Sequence, residues 1–202
     1  MVDGGSLRRN FAVVDATLNV QGGTLGQGVE TAGGVVNISG GIVGDNSFLL
    51  ALLALTANSG SVVNISGGLV TGVEASTGSV VNISGGIVGD NNLFSLALTA
   101  NSGSVVNISG GLVTGVEASP GSVVNITGGT VDIGVQVALS QIGLIASSGS
   151  EVNISGGTVT GGGFFAQDGS EVNIRGTQFS LCLLYTSPSP RDQRGSRMPS
   201  SA

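Results

Sequence analysis

Histidine, lysine and tryptophan are absent from the 202 residues, aromatic side chains make up 3% of them, and charged residues only 9%. Each gap removes a chemistry. Without histidine there is no imidazole base and no imidazole metal ligand, and without lysine no Schiff-base amine and no P-loop lysine. Six arginines against twelve acids give a net charge of -6 and no basic stripe to neutralise phosphates, so no nucleic-acid partner is expected. The apolar run Phe48 to Leu55 is eight residues long, far short of the about 20 that span a bilayer, so no membrane span is expected. What is abundant is glycine, with 37 residues.

The last 21 residues stand apart. Cys182 to Asp192 (CLLYTSPSPRD) resembles a translated transposon-end adaptor of short-read sequencing, and Ser196 to Ala202 (SRMPSSA) resembles the outer adaptor, with Gln193 to Gly195 filling the place of an index. The alternative is a genuine disordered tail rich in Ser, Pro and Arg. Read as adaptor, residues 182–202 are a non-native, disordered tail to be set aside. They hold the only Cys, the only Tyr, three of the four Pro and three of the six Arg. Residues 1–181 then carry Arg8, Arg9 and Arg175 against eleven acids, a net charge of -8. No disulfide, zinc or thiol chemistry is expected there, and no cofactor. A reading frame that runs into adaptor also implies a fragment of a longer protein.

An internal repeat dominates the rest. Its core, G-S-x-V-N-I-S-G-G-x-V, recurs around Asn19, Asn37, Asn64, Asn82, Asn107, Asn125, Asn153 and Asn173, at spacings of 18, 27, 18, 25, 18, 28 and 20 residues. Short units such as Gly60 to Thr77 alternate with long ones that add an apolar insert, as in Gly44 to Ser59 (GDNSFLLALLALTANS). An 18-residue unit rich in Val, Ile, Ser and Thr is too short for a helical-hairpin repeat and suits one coil of a parallel β-solenoid. The expected fold is therefore all-β, a parallel β-helix of about eight coils of 18 to 28 residues. Residues 1–16 form an N-terminal lead-in, 17–181 the solenoid and 182–202 the tail.

Parity assigns the faces, because successive strand residues point to opposite sides. Glu151 and Glu171 replace the first Val of the Val-Val pair and Arg175 replaces the Ser after Ile, so these positions face water and Asn faces out with them. Val63, Ile65, Val70, Val73 and Ala75 then face in, Glu74 faces out, and Gly67-Gly68 makes a corner where a side chain would crowd the turn. Outward Asn107 is expected to accept Asp with little loss, whereas inward Ile108 is not.

The VNISGGxV runs over Val35 to Val159 resemble the repeats of bacterial secreted parallel β-helix proteins, the group containing autotransporter passenger domains and filamentous-haemagglutinin-like adhesins. The resemblance implies a right-handed helix and an extracellular or bacterial-type cell-surface location. The six-residue spacing of Val63, Leu69, Ala75 and Val81 also fits left-handed hexapeptide helices. Right-handed is preferred because Thr130 and Thr158 stand at the Leu69 position while the Val70 position stays aliphatic.

Candidate functional features are few. Six Asn match the N-glycosylation sequon (Asn37, Asn64, Asn82, Asn107, Asn125 and Asn153). Because the repeat itself generates them, a coil-to-coil ladder of stacked amides is the expectation. Glu30, Glu74 and Glu117 fall on alternate coils, about 9.6 Å apart, too far to share one ion; they read as solvated acids, as do Asp45 and Asp90. Consecutive Thr-x-Thr ranks, which an ice-binding face carries, are absent. The inserts are the least generic segments. Phe48, Leu49 and Leu52 in the first, with Leu93, Phe94 and Leu96 in the second, mark a candidate interaction flank for a protein or surface ligand, as packed helices or as a widened core. Exposed strand edges suggest end-to-end self-association. The sequence thus reads as a non-enzymatic structural or adhesive segment, with a polysaccharide lyase or hydrolase on the same fold as the alternative and an ice-binding protein as a remote one.

Overall fold

The computed structural model describes residues 1–7, 9–44, 53–89, 97–132, 143–160 and 164–176. Those residues form three parallel sheets of eight strands each, and no helix occurs among them. Every strand pairs with the strand one coil away on the same side, so the chain winds as a parallel β-helix of about eight coils with three sides. The asparagine sheet runs from Thr17–Val20 to Glu171–Ile174 in four-residue strands. A short-strand sheet runs from Ser6–Leu7 to Thr158–Thr160, and a glutamate sheet from Phe11–Val14 to Phe164–Ala166. The lead-in, residues 1–16, already supplies the first strand of the last two sheets.

Register follows the repeat without slippage. Asn82 pairs with Asn64 on one side and Asn107 on the other, across units of different length. The length difference is absorbed elsewhere: in each long unit the extra residues fall between the short-strand and glutamate strands, and pairing resumes in register. Leu55 pairs with Val73 although the insert precedes it.

Alternation puts one core inside the three sides. Val63, Ile65, Val70, Val73 and Ala75 are fully buried, and so are their counterparts Val106, Ile108, Val113, Val116 and Ala118. At roughly 1.5 to 3 kcal/mol for each fully buried Val or Ile, such columns offset the ordering of a glycine-rich backbone only because neighbouring coils share them. Leu69, by contrast, is only half-buried and Val70 faces the core. The six-residue spacing through Leu69 is therefore not the period of this core.

Two corners have distinct local causes. After every asparagine-sheet strand except Glu171–Ile174 comes a Gly-Gly corner: Gly68 has φ +79°, and a Cβ there would lie 2.7 Å from the Gly41 carbonyl oxygen one coil below. A Cβ on Gly67 would strike the Ser39 carbonyl oxygen. Only glycine lets successive coils stack this closely with a left-handed backbone. The corner before the asparagine sheet is a stacked β-turn, in which the Ser79 N–H donates to the Ser76 carbonyl at 3.0 Å and Gly78 holds φ +73°. Positive φ at the third turn residue is what a type II turn requires.

Candidate functional site

The asparagine column is the most ordered polar feature of the surface. Each Nδ2 donates to Oδ1 of the Asn one coil earlier: Asn37 to Asn19 at 2.8 Å, Asn64 to Asn37, Asn82 to Asn64, Asn107 to Asn82 and Asn125 to Asn107 at 2.9 Å, Asn153 to Asn125 and Asn173 to Asn153 at 3.0 Å. Seven bonds link eight amides head to tail. All six sequon asparagines are members. Near the end, the carboxylates of Glu151 and Glu171 also accept from Asn153 and Asn173, at 2.8 and 3.0 Å. Stacked amides in one line polarise one another, so the column acts as a structural spine along the rod.

The acids fall where their spacing predicts. On the outer face of the glutamate sheet the register reads Glu30, Thr56, Glu74, Thr99, Glu117 in consecutive coils. A threonine thus separates each pair of glutamates. Glu74 accepts a 2.6 Å hydrogen bond from Asn101 Nδ2. Among the described residues no group of three or more acids or thiols is arranged to hold a metal ion.

The candidate interaction flank, Phe48, Leu49, Leu52, Leu93, Phe94 and Leu96, lies outside the described residues, as do Asp45 and Asp90. Its anchor points are described. Gly44 ends one short strand and Ala54 begins the return, at the corner that Thr71-Gly72 closes in the next coil. A Cβ on Gly44 would strike Thr71 Oγ1 and lie 2.9 Å from the Ala54 Cβ, and φ there is +113°. Gly89, with φ +125°, meets Thr114 and Ala97 in the same way two coils on. The described anchor points of the two apolar inserts therefore lie on one edge of the rod, about 9.6 Å apart along it.

Two columns escaped the sequence reading. The Ser of five Gly-Ser turn pairs is buried (Ser61, Ser79, Ser104, Ser122 and Ser150), while Ser170 in the outermost described coil is half-buried. In Ser79, Ser104, Ser122 and Ser150 the hydroxyl donates to the carbonyl three residues back at 2.6 to 2.7 Å, tying the turn down from inside. Ser61 donates instead to the Thr31 carbonyl at 2.8 Å. The signal is a Ser after Gly in six of the eight repeat units, legible in the sequence only as part of the repeat core. The second is an outward apolar column on the short-strand sheet, Ile42, Leu69, Ile87 and Leu112 in four consecutive coils.

Fold and surface together define a parallel β-solenoid repeat protein. No protein-family model, curated protein or solved structure matches the chain.

Proposed function

We propose that this chain is a non-enzymatic, structural or adhesive β-solenoid segment of a larger secreted or cell-surface protein. The observation that carries this reading is the asparagine ladder, which passes through all eight coils in one register. An active site on a solenoid face has to interrupt the repeat to gather its groups, and this face is uninterrupted. A stalk or scaffold, in contrast, needs what the repeat supplies: a rod of stacked coils, each rising about 4.8 Å, presenting the same surface at every level. The adhesive element in this reading is the flank formed by the apolar inserts, which suits a protein or an apolar surface better than a sugar. The bacterial-type extracellular location rests on the resemblance of the VNISGG repeats.

The glutamate column gives the alternative, a polysaccharide lyase or hydrolase, its one foothold. Glu30, Glu74 and Glu117 stand two coils apart, about 9.6 Å, well beyond the retaining separation of paired carboxylates and at the outer limit of the inverting one. Ice binding has less, because the outward columns of the flat face are Val, Asn and Ser. The deciding experiment offers the full chain a set of neutral and acidic polysaccharides and follows reducing ends and unsaturated products. No product above the blank is expected. Cleavage that disappears when Glu74→Gln and Glu117→Gln are combined would overturn the scaffold reading.

A further inference from the structure

Charge on the rod is segregated. From Thr17 to Thr127, the charged residues among those described are Glu30, Glu74 and Glu117, all on the outer face of the glutamate sheet. Among the described residues, the outer face of the short-strand sheet carries none from Thr24 to Leu112, and Asp132 stands beside Thr130 at the far rim. Along that face the register reads Thr24, Ile42, Leu69, Ile87, Leu112, Thr130. Four apolar side chains stand in line between a threonine at each end, an apolar centre with a polar rim as protein interfaces have. The adjoining corner is the Gly-Gly turn, which has no side chain to hold a neighbour away.

The column is not level. Ile42 and Ile87 are 40% and 44% exposed, whereas Leu69 and Leu112 are only partly exposed, so raised and recessed residues alternate from coil to coil. This order is complementary to its own reverse. If a second rod lies antiparallel on the first, with a two-fold axis between the Leu69 and Ile87 levels, Ile42 of one copy meets Leu112 of the other and Leu69 meets Ile87. Each raised residue then faces a recessed one, and threonine faces threonine at both rims. A parallel pair would set Ile on Ile, raised against raised. Closed two-fold contacts of this isologous kind are the common form of self-association.

The geometry points to a lateral, antiparallel homodimer through the short-strand sheet, with the glutamate columns turned away from each other's apolar faces. The area suffices. Eight coils give a face about 34 Å long, and a third of an 18-residue coil makes it about 20 Å wide; two such faces bury about 1,300 Å², within the range of specific protein interfaces.

Two measurements on the full chain test this. Sedimentation equilibrium across the micromolar range should give twice the chain mass, and Ile87→Asp should halve it while leaving circular dichroism unchanged. In a Cys182→Ser background, the double variant Ile42→Cys with Leu112→Cys should cross-link between copies on mild oxidation. Ile42→Cys alone should not, because equivalent Ile42 positions in the antiparallel pair lie about 14 Å apart, and a disulfide needs Cα atoms within about 7 Å. A chain that stays monomeric, as it would if residues 45–52 of the same copy covered the column, overturns the proposal. So does efficient cross-linking of the single variant, which would mean a parallel pair.

Discussion

Asn107 donates its Nδ2 proton to Oδ1 of Asn82 at 2.9 Å and, through its own Oδ1, accepts from Asn125 at the same distance. An outward residue on this solenoid is therefore not a free one. Parity places Asn107 on the solvent side, where exchange by Asp is expected to cost little, but the ladder changes that expectation. A carboxylate has no proton to give Asn82 and sets two acceptors against each other.

Asn107→Asp should thus cost about 1 to 2 kcal/mol, the range for a lost hydrogen bond whose partner is left unmatched. Ile108→Asp should cost considerably more, because it places an unpaired carboxylate in a core position that is 1% exposed. Denaturant melts of the two variants should rank them in that order, both below the parent. Equal midpoints for Asn107→Asp and the parent would show that the ladder contributes nothing.

The glycines sort into two kinds that a melt should separate. Gly68→Ala forces a side chain into left-handed backbone and within 2.7 Å of the Gly41 carbonyl oxygen, so a loss of about 1 to 3 kcal/mol is expected. Gly72→Ala meets nothing closer than 3.8 Å and has no positive φ. It should be neutral or slightly stabilising, by up to about 1 kcal/mol, because it narrows the unfolded ensemble.

For the insert flank, replacing Leu49, Leu52 and Phe94 together by Ser should abolish binding to a protein or surface ligand and leave the β-type circular dichroism intact. Glu74→Gln with Glu117→Gln should leave that binding unchanged. The comparison is best read by surface plasmon resonance on whatever ligand the parent chain captures. Loss of the coils in the triple variant would mean that the inserts belong to the core and do not form a flank.

End-to-end growth has its own signature. The strand Glu171–Ile174 is the outermost described strand of its sheet, and its Glu171 N–H bonds inward to Ser150, which leaves the Val172 N–H on the outer edge by alternation. Exposed apolar residues accompany the edges, with Leu7 and Phe11 at one end and Phe164 and Ile174 at the other. Above the micromolar range, light scattering should show mass rising past that of the lateral pair without a plateau, and Val172→Pro should return it to that of the pair by removing an edge donor. A lateral pair, in contrast, closes at two copies and is indifferent to that proline.

The repeat announced the architecture because its two periods speak to different levels. Alternation within VVNI set which residues face in, and Val63, Ile65, Val70, Val73 and Ala75 are all buried as that alternation requires. The recurrence of Asn at unequal spacings set the coil count and the alternation of long and short units, and Glu30, Glu74 and Glu117 fall two coils apart in the observed register. The turn serines were harder to see, since a hydroxyl next to glycine reads as loop chemistry until the turn is known to point it inward.

What the sequence determined by itself, then, was everything carried by local periodicity: strand parity, the glycine corners and the stacking of like on like, because these depend on residues a few positions apart or on identical positions one unit on. Only the tertiary structure decided how the three sides are divided among those residues. It showed that the described anchor points of both apolar inserts lie on one edge, that the eight repeat Asn amides are engaged head to tail, and that Ile42, Leu69, Ile87 and Leu112 line up on one outer face. Such relations lie between coils 18 to 28 residues apart in the chain, where hydrogen bonding across the rise of one coil, and not the sequence neighbours of each residue, sets what touches what.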